Sequence, residues 1–176
     1  MHTCCAPCLT FPLLELRSQA ADVVVYYYNP NIQPFQEYKR RRDCLEEYCS
    51  AEAVTFIEAR YDFERFYQAV VFKESSRCEI CYTLRLTEAA KYAAKEDFDC
   101  FTTTLLVSPY QKHDLLVEIG KATGDRYGVP FRYSDFRRGW AQTRALSREL
   151  DLYRQKYCGC LYSEKERFCK ERPSFS

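Results

Sequence analysis

The feature that most narrows the fold of this chain is the alternation of short apolar runs with longer segments of helical periodicity. Residues 22–28, 54–57, 101–107 and 129–133 are rich in β-branched and aromatic side chains and too short for buried helices. The first run is apolar almost throughout, as suits a strand covered on both faces, and it stops at the turn signal Asn29-Pro30-Asn31. Between the runs, apolar residues recur at helical spacing: Leu9, Leu13, Leu16 and Ala20; Phe35, Tyr38, Leu45 and Tyr48; Phe63, Phe66, Tyr67 and Val70; Tyr82, Leu86, Ala89 and Ala93; Leu115, Leu116 and Ile119; Trp140, Ala145 and Leu150. This order predicts an α/β fold, a mainly parallel sheet flanked by helices. A length of 176 residues suits one domain over 1–176, compact to about residue 162 and ending in a loop-rich, cysteine-containing polar tail, 163–176.

The longest apolar stretches fall far short of the ~18 to 20 residues of a membrane span, and the N-terminus has neither the basic nor the apolar region of a secretory signal. A cytoplasmic protein with no membrane partner is expected. Net charge is only +1, so any nucleic-acid binding has to come from local patches. Lys39-Arg40-Arg41-Arg42, Arg137, Arg138, Arg154 and Lys156 supply them, interleaved with Tyr38, Phe136, Tyr153 and Tyr157; aromatic rings among cations suit unstacked bases and phosphates. With five Gly in all, no phosphate-binding or dinucleotide loop is present.

Eleven cysteines are the unusual number, and in a reducing compartment they point to thiolate chemistry or metal. Most fall in close groups: Cys4, Cys5 and Cys8; Cys78 and Cys81; Cys158 and Cys160 around Gly159. Cys78-Glu79-Ile80-Cys81 opens a predicted helix, where the positive end of the macrodipole favours thiolate. Adjacent Cys4 and Cys5 suit two ligands of one centre better than a relaxed disulfide. With Cys78 and Cys81 they make a four-thiolate set that fits tetrahedral zinc or an iron-sulfur cluster. Cys158 and Cys160 exceed one such site and leave open a second metal, a redox disulfide or neither. Cys44 and Cys49 read as structural thiols, and His2 and His113 as non-ligands. In open α/β sheets ligands bind beyond the carboxyl ends of the strands. Asp62, Tyr110 and Asp135 follow predicted strands there and are candidate proton donors.

Several longer motifs together resemble the QueH-type epoxyqueuosine reductases: His2-Thr3-Cys4-Cys5-Ala6-Pro7-Cys8, Tyr27-Tyr28-Asn29-Pro30-Asn31-Ile32, Arg77-Cys78-Glu79-Ile80-Cys81-Tyr82 with Arg85-Leu86, Phe101 to Leu106 with Ser108-Pro109-Tyr110, Asp135-Phe136-Arg137-Arg138-Gly139, and Leu152 to Cys160. The resemblance implies a nucleotide α-hydrolase-like (HUP-like) fold. It implies reduction of the epoxide of epoxyqueuosine at the tRNA wobble position to queuosine, without cobalamin. By matching, Cys4, Cys5, Cys78 and Cys81 become ligands of a 4Fe-4S cluster with an additional iron ion nearby. Cys8, Cys158 and Cys160 fall on further family cysteines, toward a second metal or a redox pair. The partners implied are the anticodon loop of the tRNA and an unidentified electron donor. The family's strand before the first cysteines is reduced here to Met1–Thr3, so a very short or missing first strand is expected, with a start upstream of Met1 one explanation. A zinc-stabilised tRNA-binding module and a Cys-x-x-Cys thiol-disulfide oxidoreductase are the competing readings.

Overall fold

A computed structural model of the chain describes residues 1–169. Helices dominate it: α1 (Ala6–Ser18), α2 (Phe35–Ala51), α3 (Phe63–Val70), α4 (Arg77–Lys95), α5 (His113–Tyr127), α6 (Trp140–Glu149) and α7 (Leu161–Phe168), with one regular ladder between β1 (Val24–Tyr27) and β2 (Thr55–Glu58). The two strands run parallel, Val24 opposite Thr55 and Tyr27 opposite Glu58.

Three single bridges extend this small sheet, and all are parallel: His2 with Tyr26, His2 with Thr103, and Phe101 with Phe131. His2 is sewn in on both sides, since Tyr26 N–H donates to the Met1 carbonyl and the His2 N–H to that of Thr102, each at 2.9 Å. The extended segments therefore lie in the order 3-2-1-4-5, numbered along the chain. The expected short first strand is a single bridged residue. Sequence reversal falls between His2 and residues 102–103, and Cys4 and Thr104 leave the sheet there.

The sheet is smaller than expected, for two local reasons. The Thr103 hydroxyl accepts a hydrogen bond from the Leu105 N–H and turns Thr104–Val107 into a 3₁₀ helix, although its residues are strand formers. Pro130 has no N–H to donate, so the run at 129–133 pairs only around Phe131. Residues 161–168, expected to lie largely in a loop-rich tail, form α7; the remainder of that tail, 170–176, lies outside the described residues.

Both faces of the sheet are covered. Val25 and Tyr27 point into a core with Leu9, Leu13, Ile32, Tyr38 and Leu45, whereas Tyr26 and Tyr28 point the other way, toward Leu86, Ala89 and Ala90 of α4. The alternation follows from the period of two along a strand. Helix α1 serves both cores, Leu9 and Leu13 on one side and Cys8 and Leu16 on the other. Its start is thereby pinned at the point where the strand order reverses.

Candidate metal centre

Cys5 is extended and caps α1, so the first turn of that helix brings Cys8 back over Cys4 and Cys5. The three sulfurs lie within 4.8 Å of one another, all buried. Cys4 and Cys5 Sγ are 3.6 Å apart. Thiolates on one tetrahedral ion, with bonds of ~2.3 Å, stand about 3.8 Å apart, so this trio has the spacing of ligands to a single ion. Ligands of a four-iron cluster each take a different iron and spread more widely, which suits sulfurs arriving from a second element. The donor set thus fits a thiolate-held metal group. Hydrogen bonds from Cys5 and Cys8 hold the Cys4 thiol well below its ordinary pKa. Burial pushes Cys5 up, and bonding to Cys4 pushes Cys8 up.

The second element is α4. Cys81 is buried and Cys78 half-buried in its first turn. The thiolate-favouring effect expected of that helix end is outweighed, because burial pushes the Cys81 thiol up to about 12 and Cys78 upward as well. One turn on, Arg85 is fully buried. Its NH1 donates toward Cys81 Sγ at 3.7 Å, its Nε to His2 Nε2 at 3.2 Å and its NH2 to Asn29 Oδ1 at 2.6 Å. Asn29 in turn donates to the Thr3 carbonyl, and His2 Nδ1 bonds the Thr103 hydroxyl. Both ring nitrogens of His2 are engaged within this network. Burial and then the Arg85 charge lower its pKa to about 3, so the ring is neutral.

Over the trio lies the segment after α6. Gln155 Nε2 donates to Cys5 Sγ at 2.9 Å and lies 3.7 Å from Cys8 Sγ. Cys158 is exposed and accepts from Gln111 Nε2 at 3.7 Å; Cys160, half-buried, packs with Cys81, Phe66 and Val70; both are free thiols. Gly159 holds φ +142°, and a Cβ there would meet Ile32 Cγ1 at 2.9 Å. Between this segment and α1 opens a cleft of about 460 Å³, lined by Cys4, Cys8, Tyr110, Trp140, Lys156 and Cys158 among others. Tyr110 and Trp140 stand edge to face, centroids 5.9 Å apart.

A family model described as epoxyqueuosine reductase QueH matches residues 1–166. The chain belongs to the QueH family. Relatives of the same name include that of Dehalococcoides mccartyi, 38% identical over 97% of this chain and 94% of the relative. That of Thermotoga maritima is 37% identical over 95% and 90%, and that of Streptococcus pyogenes 34% over 94% and 69%.

Not every residue expected at a QueH site is brought to it. Asp62 precedes α3 and is not among the cleft's lining residues, and neither is Asp135, whose carboxylate is bound by the Arg137 guanidinium and held down at about 2. Tyr110 does line the cleft and is 82% exposed. In the basic run, Lys39 pairs with Asp43, and Arg42 with Asp43 and Glu58, while Arg40 lies over the Tyr153 ring. Arg41 is fully buried, which leaves it no face for a phosphate. Arg137 and Arg138 are exposed but paired with Asp135 and Glu15; Arg154 is exposed and bonds the Ser147 carbonyl; Lys156 lines the cleft. Sequence reasoning assigned no role to Arg85, Gln155 or Trp140. Arg85 had a readable signal, four residues after Cys81 on the same helix face. Gln155 and Trp140 carried none in their residue type. Among the described residues no helix is long and apolar enough to cross a membrane.

Proposed function

We propose that this chain is an oxidoreductase that reduces epoxyqueuosine in tRNA to queuosine without cobalamin, in the cytoplasm. The observation that carries the reading is a buried thiol group at the reversal of the strand order, opening into a cleft, in a member of the QueH family. The strand order supports a nucleotide α-hydrolase-like fold, whose ligands sit at that reversal. Cys4, Cys5, Cys78 and Cys81 would hold a 4Fe-4S cluster, Cys4 and Cys5 parting from their 3.6 Å spacing to reach separate irons, and Cys8 would serve an additional iron ion, with Cys158 and Cys160 as a redox pair or further ligands. Bound there, the group supplies electrons one at a time and a Lewis acid for the epoxide oxygen.

The reaction consumes two electrons and two protons and releases water. This chain's own part is to hold the nucleotide and deliver a proton. Asp135, ionised and locked to Arg137, has no proton to give at neutral pH, and Asp62 stands away from the cleft; Tyr110 remains the donor. Trp140 and Tyr110 offer ring faces to unstacked bases, and Lys156 a phosphate contact. Trp140 is the single tryptophan, so its fluorescence reports the cleft. An anticodon stem-loop is expected to quench it, with affinity falling steeply as salt is added. Tyr110→Phe should keep this binding and lose turnover by about 10²-fold or more, the scale of a general acid. Tyr110→Ala should also weaken binding by about 1–3 kcal/mol of stacking. Unquenched fluorescence with measurable RNA binding would move the substrate elsewhere.

The deciding experiment is iron and acid-labile sulfide content on protein purified without oxygen. About four sulfides per chain, slightly more than four irons and a broad band near ~400 nm are expected. The 3.6 Å spacing of Cys4 and Cys5 also suits one zinc ion, and zinc without sulfide after anaerobic reconstitution would make the chain a tRNA-binding module. An unidentified partner must supply the electrons.

A further inference from the structure

Arg85 is a buried cation without a buried carboxylate. It is 1% exposed, and among the described residues no carboxylate lies within 4.0 Å of it. Its hydrogen-bond partners are all neutral: the His2 ring, the Asn29 amide oxygen and the Cys81 sulfur. A guanidinium does not deprotonate in proteins, and taking one out of water costs several kcal/mol unless an opposite charge is near. By contrast Arg41, the other fully buried arginine, has Glu37 at 2.8 Å. Cys81 Sγ lies 3.7 Å from it, and Cys4 and Cys158, from segments far from α4 in sequence, are the other sulfurs whose charge would reach it. Of these only Cys4 is held toward its thiolate; Cys81 and Cys158 as free thiols are neutral, whereas metal-bound thiolates are all anionic.

We propose that Arg85 is the counter-charge of the metal centre: its guanidinium is compensated when the surrounding sulfurs are metal-bound thiolates, and it in turn favours the more negative, reduced state of the group they hold. This deepens the function proposed above and rests on it for the redox half. Arg85 acts through Cys81 rather than on substrate and is a positioning and tuning residue. Asn29 aims it, which gives the Asn29-Pro30-Asn31 turn a purpose at the centre.

The test compares wild type, Arg85→Met and Arg85→Lys, each metal-free and anaerobically loaded, by redox titration and thermal melting. Loaded Arg85→Met is expected to lose at least tenfold in the equilibrium constant for one-electron reduction, which is a midpoint about 59 mV more negative. Arg85→Lys, which keeps the charge, should recover most of that shift. Melting should change sign with loading: Arg85→Met melts no lower than wild type when metal-free, because an incompletely compensated charge is gone, and lower than wild type when loaded. A merely structural arginine would lower both melting points alike and leave the midpoint in place, and either result overturns the proposal. If Arg85→Met does not accumulate as folded protein, Arg85→Gln, uncharged and able to donate to Asn29, takes its place with the same expectations. Wild type that binds zinc and no sulfide defeats the reductase reading alone; the melting comparison on the zinc form still decides the counter-charge, since zinc thiolates are also anionic.

Discussion

Cys81→Ala is expected to yield protein without iron-sulfur absorbance and with turnover lowered on the order of 100-fold or more. The residue is buried in the first turn of α4 and receives Arg85, so its loss removes a proposed cluster ligand and strands the guanidinium beside an alanine. Cys49→Ala is the control, because Cys49 is equally buried but packs against Leu45 and Tyr48 away from the trio; it should retain full absorbance. On the proposed assignment Cys8 and Cys78 serve different metals. If Cys8 serves the additional ion, Cys8→Ala keeps about four sulfides and loses the iron in excess of four, whereas Cys78→Ala loses the sulfides. The reverse pattern would put Cys8 in the cluster and take Cys78 out of it. Sulfide and iron counts on the four variants are sufficient to tell these apart.

Arg41→Ala should be the most destabilising of the arginine substitutions. The guanidinium lies 2.8 Å from the nearly buried Glu37 carboxylate and donates to the carbonyls of Cys158 at 2.9 Å and Tyr157 at 3.1 Å. Removing it leaves a carboxylate and two carbonyls short of partners, a loss of about 3–5 kcal/mol. At roughly 2–4 °C per kcal/mol for a chain of this size, the melting point should drop by about 6–20 °C. The same arginine ties α2 to the segment bearing Cys158 and Cys160, alongside the Gln33 N–H bond to the Gly159 carbonyl at 2.8 Å. Proteolysis between residues 153 and 160 should therefore accelerate in the variant. Arg41→Lys is not expected to rescue, because one ammonium does not reproduce a fork reaching three acceptors. The salt dependence of RNA binding separates the clamp from a phosphate contact. Lys156→Ala should reduce its slope by about one, and a similar reduction in Arg41→Ala would contradict the clamp.

Much of this molecule was legible in its residues. Apolar spacing marked α2, α4 and α5, and the apolar run before Asn29 marked β1. Cysteine grouping marked Cys4, Cys5 and Cys8, whose buried sulfurs could hold a metal ion, and the long motifs identified the QueH family. Even the grouping of Cys8 with Cys5 follows from a spacing of three residues on a helix. Of the run at 101–107, Phe101 and Thr103 pair as strand residues should, but Thr104–Val107 leave the sheet because a threonine hydroxyl, rather than a neighbouring strand, takes the Leu105 N–H.

What no reading of charge could supply is where each charge points. Lys39, Arg40, Arg41 and Arg42 form one basic run, yet Arg41 shares the buried face of Tyr38 and Leu45 and is turned inward, while its neighbours remain at the surface. Arg85 likewise looks like any helix cation until α4 is packed against β1 and its guanidinium is buried against Cys81, His2 and Asn29. Periodicity is a property of local backbone geometry and is written along the chain. The desolvation of a charge, and the partner that compensates it, depend on segments far apart in sequence and exist only once those segments meet.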